Sequence, residues 1–174
     1  MSNQHINFKN IILWRHAEAV ELADFDDVVS VQEAMQNDAT RAITLKGHQQ
    51  AKKMASWLAR HLPKDTMLHT SPALRAFQTA QALNYKINVN PVFKPSATLQ
   101  QVLSTIEKLS PQPNIVGNLL IVGHQPWLGQ LAASLLCASE PEINIKKGAI
   151  WWLRQLESMP GRYEIMTVQI PTKL

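Results

Sequence analysis

Hydrophobic positions fall into short uniform runs and longer periodic ones, and the two kinds alternate along the chain. Residues 10–15 (NIILWR) and 118–123 (NLLIVG) are apolar at nearly every position, the pattern of strands buried on both faces. Short β-prone stretches at 66–70 and 87–89 belong with them. Between these strands, 46–62 puts Ala51, Met54, Ala55, Leu58 and Leu62 on one helical face, and Pro63 ends the helix. A second helix is predicted from Ser71-Pro72 to about Leu83, with Ser71 as N-cap and Pro72 in the first turn. Others run from Ser96 to Leu109 and from Pro126 to Leu136. Residues 21–42 open polar and acidic and read as a loop with a short helix near Val29–Gln36. The tail holds two β-rich runs, 148–156 and 162–170, parted by a Met159-Pro160-Gly161 turn.

Strands alternating with helices predict a three-layer α/β/α fold. Its central sheet is mostly parallel, and the tail adds an antiparallel edge. At 174 residues, with no internal repeat, the chain fits one domain over residues 1–174. Folding at this size buries roughly 70% of the unfolded surface, enough for a core without disulfide or metal.

Composition narrows the picture further. The 45% hydrophobic and 17% charged content exclude a disordered or fibrous chain. Cys137 is the one cysteine, which excludes an intrachain disulfide; its apolar helical run predicts an inert buried thiol. The first ten residues lack a basic segment followed by an apolar one, and no stretch reaches the ~20 apolar residues of a membrane span. The expectation is a soluble, non-exported, cytoplasmic protein with no membrane partner. The net charge of +4 is spread out, with Lys52-Lys53 and Lys146-Lys147 the only adjacent basic pairs. That scatter argues against a nucleic-acid partner and suits an anionic substrate.

Ligands of open α/β sheets sit outside the carboxyl ends of the strands. The first strand ends Arg15-His16; the second ends Thr70-Ser71, with Arg75 following in the next helix; the third ends Gly123-His124. In a parallel sheet these side chains meet at one edge, as a cationic cluster that needs an anion. Such a set serves phosphoryl transfer to an imidazole. A neutral histidine nitrogen attacks without deprotonation, and guanidinium forks match phosphate oxygens. Helix N-termini near Pro72 and Pro126 would add N–H donors.

Four ordered segments carry a resemblance: residues 13–19 (LWRHAEA), 41–47 (RAITLKG), 71–80 (SPALRAFQTA) and 122–126 (VGHQP). In these the chain resembles the histidine phosphatase superfamily, the phosphoglycerate mutase-like fold, in its compact SixA-like branch. The resemblance implies that His16 is phosphorylated and that Arg15, Arg75 and His124 bind the phosphoryl group, with Arg41 near the substrate. It implies no cofactor and no metal. The partner it implies is a phosphorylated protein or a small phosphorylated molecule, with the oligomeric state left open.

Two positions depart from the family pattern. Ala17 replaces the usual glycine after the Arg-His pair. The leaving-group acid is also absent, since Gln125 follows His124 and residues 86–106 hold no carboxylate. Glu18 is the nearest candidate acid, with Asp24, Asp26 and Asp27 behind it in the 21–40 loop. Lack of a dedicated acid favours phosphohistidine, whose leaving group needs little help, over an alkyl phosphate ester.

Competing readings are a small-molecule phosphomonoesterase using the same mechanism and a non-catalytic phosphoprotein-binding module. A zinc reading of His16 and His124 matches no standard ligand spacing. Ser71 lacks a Gly-x-Ser-x-Gly context and reads as a helix cap. His5, His48, His61 and His69 read as structural, and Trp14 and Trp57 as core. Trp127 is a candidate pocket wall, and one of Trp151 and Trp152 is a candidate outward contact.

Overall fold

Ile11, Ile12, Leu13 and Trp14 are completely buried, so the strand they form lies between two layers. The computed structural model of the protein describes residues 6–21, 31–112, 115 and 117–173. The elements follow in the order β1 (Phe8–Arg15), α1 (Val31–Thr40), α2 (Leu45–His61), β2 (Thr66–Thr70), α3 (Leu74–Gln81) and β3 (Ile87–Val89). Then come α4 (Leu99–Leu109), β4 (Gly117–Gly123), α5 (Trp127–Leu136), β5 (Ile150–Gln155) and β6 (Tyr163–Gln169).

Among the described residues, the strands form one sheet in the order β3-β2-β4-β1-β5-β6. The β3-β2, β2-β4 and β4-β1 pairings are parallel, while β5 and β6 close the edge antiparallel. The expected three-layer α/β/α architecture is therefore present. Alternation along β1 feeds both layers. Ile11 and Leu13 join Leu119, Ile121 and the buried faces of α4 and α5. Ile12 and Trp14 join Leu68, Leu120, Val122 and the buried residues of α2 and α3.

Local chemistry sets the helix ends. Thr44 caps α2 by accepting the Gly47 N–H at 3.0 Å. Thr98 and Gln101 form a reciprocal capping box at α4, which therefore starts at Leu99 and not at Ser96. The Ser71-Pro72 helix start is corrected. Ser71 N–H bonds the Val122 carbonyl at 3.1 Å, which keeps its backbone on the sheet. The helix begins only at Leu74, after Ala73. α1 lies further along the chain than the expected Val29–Gln36 and ends at Thr40.

Cys137 is corrected from buried to exposed. The helix stops at Leu136, and Cys137 adopts a left-handed φ of 52°, which turns its side chain outward. Trp151 and Trp152 point to opposite faces, but neither is an outward platform. Trp152 is buried, and Trp151 is half-buried against the α4–α5 layer. No helix among the described residues is long and apolar enough to cross a membrane.

Leu58 is fully buried between α2 and the sheet. Leu58→Ala is expected to destabilise the protein by about 2–5 kcal/mol, read as a lower urea midpoint. A midpoint within error of the parent would show that this layer does not pack as described.

Candidate active site

The parallel β1–β4 register places Arg15 opposite Gly123, so His16 and His124 leave the sheet side by side. The His16 N–H bonds the Gly123 carbonyl at 3.1 Å, and its own carbonyl accepts the Gly148 N–H at 3.0 Å. Gly148 sits at φ +76°, a conformation that favours glycine. Gly123 is required for a different reason. A Cβ there would stand 2.2 Å from the Trp127 ring, which packs over the strand end. Trp127 meets His124 edge-on at 6.4 Å and stacks on Phe93 at 5.8 Å, so it does wall the site.

His16 is 6% exposed, and its Nδ1 lies 2.7 Å from the Ala17 carbonyl. A carbonyl only accepts, so Nδ1 carries the proton and Nε2 carries the lone pair. Arg75 Nε–H points at that Nε2 from 3.4 Å. Burial, and then the charges of Arg75 and Arg15, push the His16 pKa down to about 3, although the Ala17 hydrogen bond opposes the shift. His16 is thus neutral at physiological pH.

The ring of His124 lies 5.1 Å from that of His16. Its Nε2 is 2.7 Å from Ser71 Oγ, which also accepts the Ala73 N–H at 3.1 Å. Ser71 Oγ keeps its own proton and a second lone pair, so it can donate to Nε2 or accept from it; where it donates, Nδ1–H becomes the His124 donor. That Nδ1 is buried and has no partner among the described residues. Burial first, then His16 and the arginines, hold His124 well below the usual histidine pKa.

Arg15 donates from Nη1 to the Ile145 carbonyl at 2.7 Å, while its buried Nε has no partner among the described residues. Arg75 is 3% exposed and is held at its outer end by Asp38. Thr79 braces the same corner, accepting the Ala17 N–H at 3.0 Å and donating to the Arg75 carbonyl at 2.6 Å.

The structure therefore gathers Arg15, His16, Arg75 and His124, and leaves the other two expected residues at the margin. Arg41 donates to Asp38 Oδ1 from Nε at 3.0 Å and Nη2 at 2.7 Å, and to the Val20 carbonyl from Nη1 at 2.8 Å. It reaches the cluster through Asp38. The Glu18 carboxylate faces the start of α2, where Lys46 Nζ at 2.7 Å and Thr44 Oγ1 at 3.2 Å engage it. The Lys46 hydrogen bond lowers its pKa. Asp24, Asp26 and Asp27 lie outside the described residues. Gln125 turns away from the site onto Glu142 and the Ile143 carbonyl, each at 3.0 Å.

Ser71, Asp38 and Thr79 were not anticipated as site residues. Ser71 carried a signal that a capping role absorbed. Asp38 had one in its position three residues before Arg41, had the helix been extended to Thr40. Among the described residues, no three histidine, cysteine, aspartate or glutamate side chains are placed to hold a metal ion.

Residues 11–98 match the family model of the histidine phosphatase superfamily, branch 1. An uncharacterized protein of Picosynechococcus is 31% identical over 150 residues, covering 83% of this chain and 84% of its own. The phosphohistidine phosphatase SixA of Escherichia coli is 27% identical over 113 residues, covering 62% of this chain and 69% of its own. In fold, the chain is similar to the structure of the protein histidine phosphatase SixA complexed with tungstate. The TM-score is 0.71 at 23% identity, covering 94% of this chain and 97% of that one.

His16, His69 and His124 all have pKa values lowered by burial from 6.5. The unfolded chain therefore binds protons first as pH falls. Stability is complete above about pH 6.5 and is lost progressively below it. A histidine kept neutral in the fold is expected to cost about 2 kcal/mol between about pH 7.5 and 5. Urea midpoints at the two pH values check this, and an unchanged midpoint would contradict it.

Proposed function

Since the chain belongs to the histidine phosphatase superfamily, we propose that it hydrolyses a phosphoryl group through a covalent intermediate on His16, with phosphohistidine in a protein as substrate. One observation carries the reading. A neutral imidazole, its tautomer fixed by the Ala17 carbonyl, turns its Nε2 lone pair toward Arg75 Nε–H, and the buried Arg15 Nε and His124 Nδ1 have no partner among the described residues.

In the first step the His16 Nε2 lone pair attacks the phosphorus of a phosphohistidine whose other ring nitrogen carries a proton, and the bond from phosphorus to the leaving nitrogen breaks to release a neutral imidazole. The charge of the equatorial oxygens falls on the two guanidiniums and the His124 N–H, donors already in place before reaction. Water then attacks the phosphorylated His16, the P–Nε2 bond breaks, and inorganic phosphate leaves with the imidazole restored. Ser71, as donor to Nε2, holds the His124 tautomer that donates from Nδ1. Arg41 acts through Asp38, and no acid role is assigned to Glu18, whose carboxylate is held elsewhere.

The carboxylates favour an N-linked substrate. Burial alone would raise the Asp38 pKa, but hydrogen bonds from Arg41 and Arg75 outweigh it and hold the group ionised. Glu18 is also ionised, through Lys46. Neither supplies a proton at neutral pH, which penalises an alkoxide leaving group far more than an imidazole or a phenolate. The name of the E. coli relative points the same way. With this reading go one catalytic domain over residues 1–174 and a cytoplasmic setting, where phosphorylated proteins are found.

Phosphate release from phosphohistidine and from an aryl phosphate, without added metal, tests the proposal. His16→Ala is expected to lose at least about 10³-fold in kcat/KM, and the wild type to yield an acid-labile phosphorylated His16. An alkyl phosphate is expected to react at least about 100-fold more slowly than either substrate. Phosphate binding with no release from any substrate would favour a binding module instead. Ser71→Ala is expected to lower kcat about 10-fold with KM little changed; an unaltered kcat would remove the tautomer argument.

A further inference from the structure

Both terminal nitrogens of the most buried guanidinium among the described residues are engaged by one residue. Arg75 donates Nη1–H to the Asp38 backbone carbonyl and Nη2–H to Asp38 Oδ2 at 2.9 Å. A guanidinium is a rigid fork with two usable edges, one formed by Nη1 and Nη2 and the other by Nε and Nη2. Asp38 occupies the first edge. The second, carrying Nε–H, faces His16 Nε2. The other oxygen of the same carboxylate receives the Nε and Nη2 of Arg41.

We infer that Asp38 is the positioning residue of this site: its carboxylate clamps Arg75 by the outer edge so that the inner edge is aimed at a phosphoryl group on His16, and Arg41 holds the clamp in place. The inference rests on the phosphatase reading above. A competing role is chemically reasonable, because a carboxylate on a phosphate-binding arginine can also act as a rival anion. The edge geometry separates the two. A rival would sit on the edge that faces the nucleophile, whereas Asp38 sits on the edge turned away from it. Burial of Arg75 strengthens the case, since its side chain is 4% exposed and Asp38 supplies its only described ion pair. With no clamp the guanidinium would swing toward water, and the inner edge would lose its aim. The C-terminal carbonyls of α1 favour a cation there as well.

The test uses Asp38→Asn and Asp38→Ala in the full chain, with urea unfolding to confirm folding. Calorimetry measures inorganic phosphate binding, and turnover is measured on an aryl phosphate. Positioning predicts kcat/KM lower by about 10- to 100-fold. It also predicts phosphate binding weaker by about 10-fold in both variants, although a negative charge has been removed. Asp38→Glu is expected to recover part of the loss. Tighter phosphate binding with kcat kept or raised would overturn the inference and make Asp38 a competitor. Unchanged binding and turnover would overturn it too. If the Asp38 variants do not fold, Arg41→Lys carries the question, because it keeps the charge and loses the fork. A kcat lower by about three- to tenfold is expected there, and no change would refute the clamp. A wild type that binds phosphate but never releases it from a substrate would sink the phosphatase reading alone. The phosphate affinities would then still decide Asp38.

Discussion

The site depends on one pairing, that of β1 with β4, which runs in parallel register from Asn10 with Asn118 to Arg15 with Gly123. Both strands are buried on both faces, so a slip of one residue would exchange the α2–α3 face for the α4–α5 face at every position. Trp14 would trade places with Leu13, and neither layer has room for that. A polar pin at the other end reinforces the register. Asn10 Nδ2 donates to Asn118 Oδ1 at 2.6 Å, and Trp152 Nε1 donates to Asn10 Oδ1 at 2.8 Å. Packing energy spent on the core thus also determines the distance between two imidazoles at the strand ends.

Electrostatics at that edge runs against folding. Arg15 and Arg75 converge on a largely buried site, with Arg41 at its margin, and Asp38 is the carboxylate in direct contact with Arg41 and Arg75. Buried cations in this ratio raise the attraction for a doubly charged ligand, because low local dielectric strengthens each interaction. Burial first, and then this field, keeps both histidines neutral. Stability given up in the empty site is therefore the source of affinity in the filled one.

Much of this was legible in the sequence because the responsible signals are local. Ile11 to Trp14 and Leu119 to Val122 are uniform apolar runs that only a doubly covered strand accommodates, and strand ends locate a parallel sheet's site. Four of the expected site residues follow from that rule together with their motifs. The failures share a cause. Ser71 followed by Pro72 satisfies every local condition for a cap, yet the Ser71 N–H is already bonded to Val122, a partner 51 residues away that local chemistry does not foresee. Asp38 sits at the end of a helix with a weak apolar stripe, where periodicity fails and only Arg75, from another element, reveals its use. Cys137 lies one residue past a helix end, and a single left-handed φ reverses its burial.

Which ring nitrogen of His16 carries the lone pair is set by the main-chain carbonyl of Ala17 and not by a side chain. All amino acids carry that carbonyl, so no codon change at position 17 abolishes it, and the substitution of alanine for the family's glycine leaves it in place. Point mutation can erase the arginines, the second histidine or Asp38. It reaches this selection only indirectly, by moving the chain. The most chemically decisive contact of the site is thus also the one most sheltered from genetic drift.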